Sequence, residues 1–275
     1  MSGVPPSFQP NFWTVLKDAV HRAIKGELHL PPWWLRDVGG AEDFEAVGRE
    51  FLHLFRQLAN LQPDEDVLEI GCGSGRMALP LTAFLSPRGS YTGVDIMAPA
   101  IAWCQKHISR RHPNFVFLHA NLYNKRYNPQ GEYAASDYTF PFNDERFDFI
   151  FLTSVFTHLL PADTDNYLRE VRRLLRPGGR CLATFFLLNE TQSRLAAAGQ
   201  NDILFRYGDG PIRTRSEAVP ESAVAYEEAY LRERIAACGL AVDGPVRYGT
   251  WSGREDGLSY QDIVLLKRAN SHDAD

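Results

Sequence analysis

Cysteine is scarce in this chain, and the few cysteines present do not follow metal-binding or disulfide spacings. They lie far apart and include no C-x-x-C pair: Cys72, Cys104, Cys181 and Cys238. A structural zinc site or a disulfide framework requires closer, patterned spacing, so neither is expected, and no other metal site is predicted. Reduced thiols indicate a protein of the cytoplasm.

The chain also lacks a long hydrophobic run and an excess of positive charge. No stretch approaches the roughly 18 consecutive apolar residues that a membrane-spanning helix needs. The N-terminus shows no basic segment followed by an apolar run, as a signal peptide would. We therefore expect no membrane partner. The formal net charge of −5 disfavours electrostatic capture of nucleic acid, so no nucleic-acid partner is expected either.

No Gly/Ser-rich or Pro-rich linker divides the chain, which favours one elaborated domain. Residues 1–61 are predicted as a helical N-terminal extension. Its first helix, Asn11 to Ile24, has apolar residues at helical spacing: Phe12, Val15, Leu16, Ala19, Val20 and Ala23. After Pro31-Pro32, a second helix is predicted from about Ala41 to Leu61. The aromatic residues of this extension suggest a lid: Phe12, Trp13, Trp33 and Trp34.

From Asp66 onward, short apolar strands alternate with helices. The predicted strands are Asp66–Ile70, Ser90–Val94, Asn114–His119, Phe147–Leu152, Arg180–Leu188, Val242–Tyr248 and Gln261–Lys267. Residues 189–222 are predicted to be irregular, and Val224–Cys238 to form a helix. Such alternation predicts a doubly wound α/β domain over residues 62–268, with a mainly parallel sheet covered on both faces. Residues 269–275 are predicted to be a disordered tail.

A glycine-rich loop follows the first predicted strand, in the sequence V-L-E-I-G-C-G-S-G-R from Val67 to Arg76. Glycines where a strand turns into a helix let backbone N–H groups approach a ligand that a Cβ would keep away. Such a loop alone is weak evidence, because nucleotide-binding dehydrogenases share it. Glu69 adds information, since a carboxylate within an apolar strand is costly to bury without a cation or hydrogen-bond donors.

Asp95 ends the second predicted strand, twenty residues after Gly75. A carboxylate at that position can accept hydrogen bonds from both hydroxyls of a ribose. A helix cap is an equally good explanation of an isolated aspartate there. Together with Glu69 and the glycines, however, Asp95 favours a nucleoside cofactor.

At these residues the sequence resembles the class I S-adenosylmethionine-dependent methyltransferases. The resemblance covers about residues 62–267 and includes the E-x-G-x-G-x-G loop, Asp95, and the L-L-R-P-G-G segment that ends at Gly179. It implies a Rossmann-like seven-stranded sheet whose seventh strand lies antiparallel between the fifth and sixth. It also implies S-adenosyl-L-methionine as methyl donor and S-adenosyl-L-homocysteine as product.

The resemblance also implies the cofactor-binding residues. Glu69, Gly71, Gly73 and Gly75 would line the methionine part, Asp95 would bind the ribose and Ile96 would pack on the adenine. Thr153 matches a position that often touches the methionine moiety, although an ordinary strand end explains it equally well. Where the family usually has an aspartate that accepts from the adenine amino group, this chain has Asn121. The predicted set is completed by Cys72 and Leu122.

The methyl acceptor is less well defined by the sequence. A small molecule is predicted, with oxygen slightly favoured over nitrogen, because the family's amino-methylating Asn/Asp-Pro-Pro-Tyr/Phe motif is absent after Leu152. His158 is a candidate general base, with helix packing as its alternative role. An aromatic, turn-rich insertion at 122–139 is either an acceptor-pocket wall or a surface excursion.

Two other functions share part of this evidence. An NAD-dependent dehydrogenase would have the glycine loop and Asp95, but it would not explain Glu69. A module that binds S-adenosylmethionine without catalysis would keep every cofactor-binding residue. The oligomeric state is left open.

Overall fold

The computed structural model of this protein describes residues 10–36 and 43–269. Apart from Ala269, the predicted disordered tail at 269–275 lies outside the described residues. The same holds for the predicted start of the second helix at Ala41. Within the described ranges, no helix is both long enough and apolar enough to cross a lipid bilayer.

The N-terminal extension contains two capped helices, α1 (Phe12–Lys25) and α2 (Phe44–Ala59). The side chain of Asn11 accepts a hydrogen bond from a backbone N–H in the first turn of α1, and Asp43 does the same for α2. Each helix ends at a residue in the left-handed conformation, Gly26 and Asn60 respectively. These caps satisfy backbone groups that the helices leave unpaired, and they explain where the helices begin and end.

Ten strands and five further helices follow within the described ranges. The strands are β1 (Asp66–Ile70), β2 (Ser90–Asp95), β3 (Phe115–His119), β4 (Phe147–Leu152), β5 (Leu175–Phe185), β6 (Leu187–Leu188), β7 (Ile212–Thr214), β8 (Val224–Glu227), β9 (Leu240–Val242) and β10 (Asp262–Arg268). The helices are α3 (Ala78–Phe84), α4 (Ala98–Cys104), α5 (Pro161–Leu174), α6 (Glu190–Ala197) and α7 (Glu228–Ala237).

The main sheet has seven strands in the order β3-β2-β1-β4-β5-β10-β9. The five strands from β3 to β5 pair in parallel, whereas β10 pairs antiparallel with both β5 and β9. This confirms the predicted doubly wound sheet with its last strand inserted antiparallel. Because strand order reverses between β1 and β4, their carboxyl ends open a crevice of the kind that binds ligands in such folds.

Both faces of this sheet are buried, as its apolar strands predict. On β4, Ile150 and Leu152 point into one hydrophobic cluster, while Phe149 and Phe151 point into the other. The second cluster is covered by α2, whose Phe55 ring lies 4.4 Å from Phe151, centroid to centroid. The extension therefore contributes to the core through α2.

The region between β5 and β9 differs from the prediction. Residues 189–222, predicted to be irregular, contain α6 and β7, and the predicted helix from Val224 begins instead as strand β8 before α7. β8 lies between β6 and β7 in a second, three-stranded sheet. The prediction was wrong because the side chains of Val224 and Tyr226 join the main core from a strand backbone, a tertiary contact that outweighs local helix periodicity.

Two strand boundaries also differ from the prediction. β9 ends at Val242, where the sixth strand was predicted to begin. The Pro-Gly-Gly segment, predicted as a turn before the fifth strand, lies inside β5 as an irregularity: Phe147 pairs with Leu175, but Phe149 pairs with Arg180. Gly178 has φ of 78° there, so the extra residues loop out of the ladder.

Candidate active site

A cavity lies at the carboxyl ends of β1, β2 and β4. It is partly open to solvent. Its walls are mostly apolar, with a few polar side chains. The residues that line it are Ile70, Gly71, Val94, Asp95, Ile96, Met97, Ala120, Leu122, Asn124, Tyr127, Phe140, Thr153, Ser154, Val155, His158, Leu159 and Tyr167.

Gly71 opens the loop between β1 and α3 and has φ of 85°, in the left-handed region. A Cβ added there would lie 2.3 Å from Cγ2 of Val155 on the opposite cavity wall. Only glycine fits this position, both because of its backbone conformation and because of the space available. The glycine loop therefore brings bare backbone to the edge of the cavity.

Asp95, at the tip of β2, holds the neighbouring loops in place. One carboxylate oxygen accepts the backbone N–H of Gly73 at 2.6 Å, and the other accepts that of Met97 at 2.7 Å. Burial raises the pKa of Asp95, while these hydrogen bonds oppose that shift. A carboxylate offers about four acceptor positions, so Asp95 keeps capacity for the hydroxyls of a ribose. Its contacts with the two loops and the predicted cofactor role are thus compatible.

Glu69 lies on the opposite face of β1 from Ile70 and points away from the cavity. Its side chain is buried, at 2% exposure, and accepts a hydrogen bond from the hydroxyl of Tyr91. Burial raises the pKa of Glu69 to about 8, although the hydrogen bond from Tyr91 and the positive charge of Arg76 act in the other direction. Tyr91 is therefore the hydrogen-bond donor that a buried carboxylate needs at this position.

The structure brings six of the predicted site residues to the cavity wall: Gly71, Asp95, Ile96, Leu122, Thr153 and His158. Five others do not line it: Glu69, Cys72, Gly73, Gly75 and Asn121. Of these, Gly73 contributes through its hydrogen bond to Asp95. The cofactor-binding roles of the whole set stay predictions.

Part of the insertion at 122–139 lines the cavity, and part of it lies on the protein surface. Asn124 and Tyr127 line the cavity, whereas Tyr123 and Tyr133 are about half exposed on the surface. The side-chain oxygen of Asn124 accepts the backbone N–H of Tyr127 at 3.0 Å, which directs the turn that carries the tyrosine. Asn124 was not among the predicted site residues, although an asparagine three residues before a tyrosine in a turn-rich segment indicates such a turn.

His158 lies in a 3₁₀ turn after β4, and each of its two ring nitrogens has a polar neighbour. Nδ1 is 2.8 Å from the backbone carbonyl oxygen of Glu221, and Nε2 is 3.4 Å from the hydroxyl of Tyr127. Burial lowers the pKa of His158 to about 4, so the ring is neutral at pH 7. Because a carbonyl oxygen only accepts, Nδ1 carries the hydrogen and Nε2 keeps its lone pair.

Ser154 lines the cavity beside Thr153 and has φ of 58°, which is uncommon for a residue other than glycine. Its backbone N–H donates to the hydroxyl of Thr184 at 2.8 Å, and its own hydroxyl lies 3.1 Å from the side-chain oxygen of Gln261. These contacts to β5 and to the residue before β10 hold the strained backbone in place. Sequence patterns do not indicate a left-handed serine, so this feature was missed.

The N-terminal extension reaches the glycine loop through one direct hydrogen bond. The hydroxyl of Ser74 donates to the backbone carbonyl of Leu35 at 2.7 Å. Leu35 belongs to the 3₁₀ turn Trp33–Leu35, in which the rings of Trp33 and Trp34 meet edge to face. The loop that shapes the cavity is therefore tied to the segment between α1 and α2.

The residues of the cavity fit a sulfonium nucleoside. Asp95 has acceptor positions left for a ribose, Ile96 and Leu122 offer apolar surface for a base, and Gly71 exposes backbone where a methionine chain would lie. Among residues 10–36 and 43–269, no group of three His, Cys, Asp or Glu side chains is arranged as a metal site. A parallel sheet with a glycine loop and an acidic residue at adjacent strand tips defines the doubly wound proteins that bind nucleoside cofactors.

Comparison with known proteins identifies the group within that class. Residues 68–183 match the family model described as a methyltransferase domain. The solved structure of the PH0226 protein from Pyrococcus horikoshii OT3 superposes with a TM-score of 0.57 at 14% identity, over 83% of this chain and 92% of that one; at this identity it shows the fold alone. The matched segment, residues 68–183, therefore belongs with the methyltransferase domains, in agreement with the resemblance to class I S-adenosylmethionine-dependent methyltransferases.

Two curated relatives are similar over part of the chain. Phthiotriol/phenolphthiotriol dimycocerosates methyltransferase 1 of Mycobacterium ulcerans is 37% identical over 120 residues, which are 43% of this chain and 36% of the relative. Fatty-acid O-methyltransferase of Mycolicibacterium smegmatis is 36% identical over 118 residues, again 43% of this chain and 36% of the relative. The chain thus matches little more than a third of the length of either relative.

Proposed function

We propose that this protein transfers a methyl group from S-adenosyl-L-methionine to a small-molecule acceptor, with an oxygen acceptor slightly favoured over nitrogen. The observation that carries the proposal is one cavity that brings together Gly71, Asp95 and the neutral imidazole of His158. When bound, S-adenosylmethionine supplies a methyl group on a positively charged sulfur. The protein then has to align the acceptor, exclude water and receive a proton where the acceptor loses one.

His158 suits the proton-accepting role. Its Nδ1–H is committed to the carbonyl of Glu221, so the lone pair of Nε2 is available on the side of Tyr127. The acceptor hydroxyl or amine would take the place of the Tyr127 hydroxyl at Nε2 and would transfer its proton to Nε2 as it attacks the methyl carbon. Because the pKa of the imidazole is about 4, that proton would then pass to solvent. Tyr127 would contact the bound acceptor beside Nε2.

The cavity lining supports an acceptor with an apolar body. Phe140, Leu159 and Tyr167 form a wall near His158 and are each at most 7% exposed. The two relatives described above carry names that refer to a lipid or a fatty acid, and the second is named an O-methyltransferase. These names agree with an apolar acceptor and with methylation on oxygen.

The cofactor assignment is tested by isothermal calorimetry and thermal shift with S-adenosylhomocysteine and NAD in parallel. We expect S-adenosylhomocysteine to bind and to raise the melting temperature, and NAD to do neither. Stabilisation by NAD alone would indicate a dehydrogenase and overturn the proposal.

The reaction is tested by incubating the full chain with methyl-labelled S-adenosylmethionine and a metabolite extract fractionated by polarity. We expect label to appear in an apolar fraction and to depend on His158. Cofactor binding without any labelled product, across all fractions, would favour the non-catalytic module. The chemical stability of the product to mild alkali distinguishes an ester from an ether or an amine.

The free cysteines agree with a cytoplasmic setting. All four are buried and unpaired by disulfides, as expected for a reducing compartment.

A further inference from the structure

Helix α1 is amphipathic, and its apolar side faces outward. Phe12, Trp13 and Ile24 are 71%, 66% and 81% exposed. Val15, Leu16 and Val20 extend the same side, and each is between two fifths and one half exposed. The structure turns that apolar face to solvent.

The opposite, polar side of α1 attaches the helix to the rest of the extension. Asp18 is buried and accepts the backbone N–H of Trp33 at 3.2 Å. Arg22 is ion-paired with Asp18 and donates to the carbonyl of Leu30 at 2.9 Å. The helix is therefore anchored through its charges, and this attachment fixes the outward direction of the apolar face.

The charges left on the outside of this segment are positive. Over residues 10–36, Asp18 and Glu27 are the acidic residues, and each is ion-paired with an arginine. Lys17 and Lys25 are exposed, and Lys17 borders the apolar face. Lys17 thus borders an aromatic-rich apolar face, and both acidic residues of this segment are ion-paired, although the chain as a whole has a net charge of −5.

We propose that α1 docks on the surface of an anionic lipid bilayer, lying in the plane of the interface. Its apolar face would enter the boundary between headgroups and acyl chains, while Lys17, which borders that face, would reach anionic headgroups. Aromatic side chains such as Phe12 and Trp13 suit that boundary, because they combine an apolar ring with tolerance of a wet environment. The proposal concerns surface binding, whereas the expectation of no membrane partner rested on the absence of a spanning segment.

Docking through α1 would place the cavity close to the membrane. Asp18 holds Trp33, and two residues further on Leu35 accepts the hydroxyl of Ser74 in the glycine loop. Hydrogen bonds thus join the lipid-facing helix to the turn Trp33–Leu35, and that turn to the glycine loop. An acceptor dissolved in the bilayer would then enter the cavity without crossing bulk water.

The test is flotation of the purified full chain with vesicles, followed by light scattering of the lipid-free protein. Vesicles of phosphatidylcholine containing about one third phosphatidylglycerol should carry the protein, and pure phosphatidylcholine vesicles should carry much less. Trp13→Ser with Leu16→Ser should lower partitioning by at least about tenfold. Lys17→Gln should lower it by about fivefold, on anionic vesicles only.

A matched control changes exposed apolar residues elsewhere. Leu204 and Leu258 are 42% and 43% exposed, so Leu204→Ser with Leu258→Ser removes exposed apolar surface outside α1 and should leave flotation unchanged. The proposal fails if the protein does not float with anionic vesicles at low salt, or if the control weakens flotation as much as the α1 variants. It also fails if α1 instead mediates a dimer that Trp13→Ser with Leu16→Ser dissociates and lipid binding is absent. Affinity for S-adenosylhomocysteine, measured without lipid, should stay the same in every variant.

Discussion

The carboxylate of Asp95 accepts the backbone N–H of Gly73 at 2.6 Å, so that the tip of β2 holds the glycine loop that follows β1. One side chain thereby shapes the loop and remains able to bind a ligand. This arrangement links the two strongest elements of the sequence motif physically. Loss of the carboxylate should disturb both the loop and the cofactor.

We expect Asp95→Asn to weaken binding of S-adenosylhomocysteine by about 10- to 100-fold, because charge-assisted hydrogen bonds contribute about 1.5–3 kcal/mol each. Isothermal calorimetry measures the effect. Asp243→Asn is the control, since Asp243 pairs with Lys267 at 3.0 Å on the surface and does not line the cavity. Equal affinity of folded Asp95→Asn and wild type would show that Asp95 does not contact the cofactor.

Substitution of Glu69 should change the free energy of unfolding more than it changes the affinity for S-adenosylhomocysteine. Glu69→Gln keeps an acceptor for the Tyr91 hydroxyl, whereas Glu69→Ala leaves that buried hydroxyl unpaired. We expect the alanine variant to lose about 2–4 kcal/mol in urea unfolding and the glutamine variant to lose less than about 1 kcal/mol. Because Glu69 points away from the cavity, Glu69→Gln should keep nearly all affinity for S-adenosylhomocysteine. A loss comparable to that of Asp95→Asn would instead restore the predicted direct contact.

The raised pKa of Glu69 also predicts a pH dependence of stability. The folded carboxyl has a pKa of about 8, against an ordinary value of about 4.5 in the unfolded chain. The folded state therefore binds the extra proton between these values, so the contribution of Glu69 to stability is fully present below about pH 4.5 and is lost as pH rises through about 8. The slope is on the order of 1 kcal/mol per pH unit.

Glu69→Gln is the control for this pH effect, because it removes the titrating group and keeps the hydrogen bond. The free energy of unfolding of both proteins is measured by chemical denaturation from pH 5 to pH 8. As pH rises, the wild type should lose stability relative to Glu69→Gln, so the difference between the two proteins should change steadily towards pH 8. Parallel curves would show that Glu69 is charged throughout the range.

The features of this site that the sequence predicted are those that depend on residues close together in the chain. Strands β1 and β4 match their predicted bounds, because runs such as Asp66–Ile70 are mostly apolar and end in strong turn signals. The glycine loop and Asp95 were predictable for the same reason, since both follow directly from strand ends. Their physical requirements are local.

The remainder of the site comes from distant segments. The tautomer of His158 depends on the carbonyl of Glu221, sixty-three residues away, and its other contact depends on Tyr127 in the insertion. Glu69 was assigned to the methionine, but the face on which its side chain lies is set by pairing of β1 with β2 and by Tyr91. Sequence spacing does not determine such contacts, so they appear only once the sheet is assembled.

His158→Gln tests the proposed base. We expect kcat to fall by about 10²- to 10⁴-fold, the usual contribution of a general base, with unchanged affinity for S-adenosylhomocysteine. With a pKa of about 4, the wild-type base stays neutral down to acidic pH, and protonation removes activity only as pH falls through about 4. Rates should therefore be level between pH 5.5 and pH 7.5. An acidic limb near pH 6.5, absent from the variant, would show that the imidazole has its ordinary pKa.

Two glycines with similar backbone conformations allow strain to be separated from space. Gly71 has φ of 85° and Gly178 has φ of 78°, so alanine at either position pays a similar backbone cost of about 1–2 kcal/mol. They differ in surroundings: the new Cβ at Gly71 would lie 2.3 Å from Val155, while nothing lies within 4 Å of the new Cβ at Gly178.

Gly71→Ala should therefore lose about 2–4 kcal/mol in urea unfolding, from backbone strain together with overpacking. It should also bind S-adenosylhomocysteine at least about tenfold more weakly, because Val155 lines the cavity and must move. Gly178→Ala should show the strain alone, with normal affinity. Equal losses of stability and binding in the two variants would mean that the glycine loop is not shaped by contact with Val155.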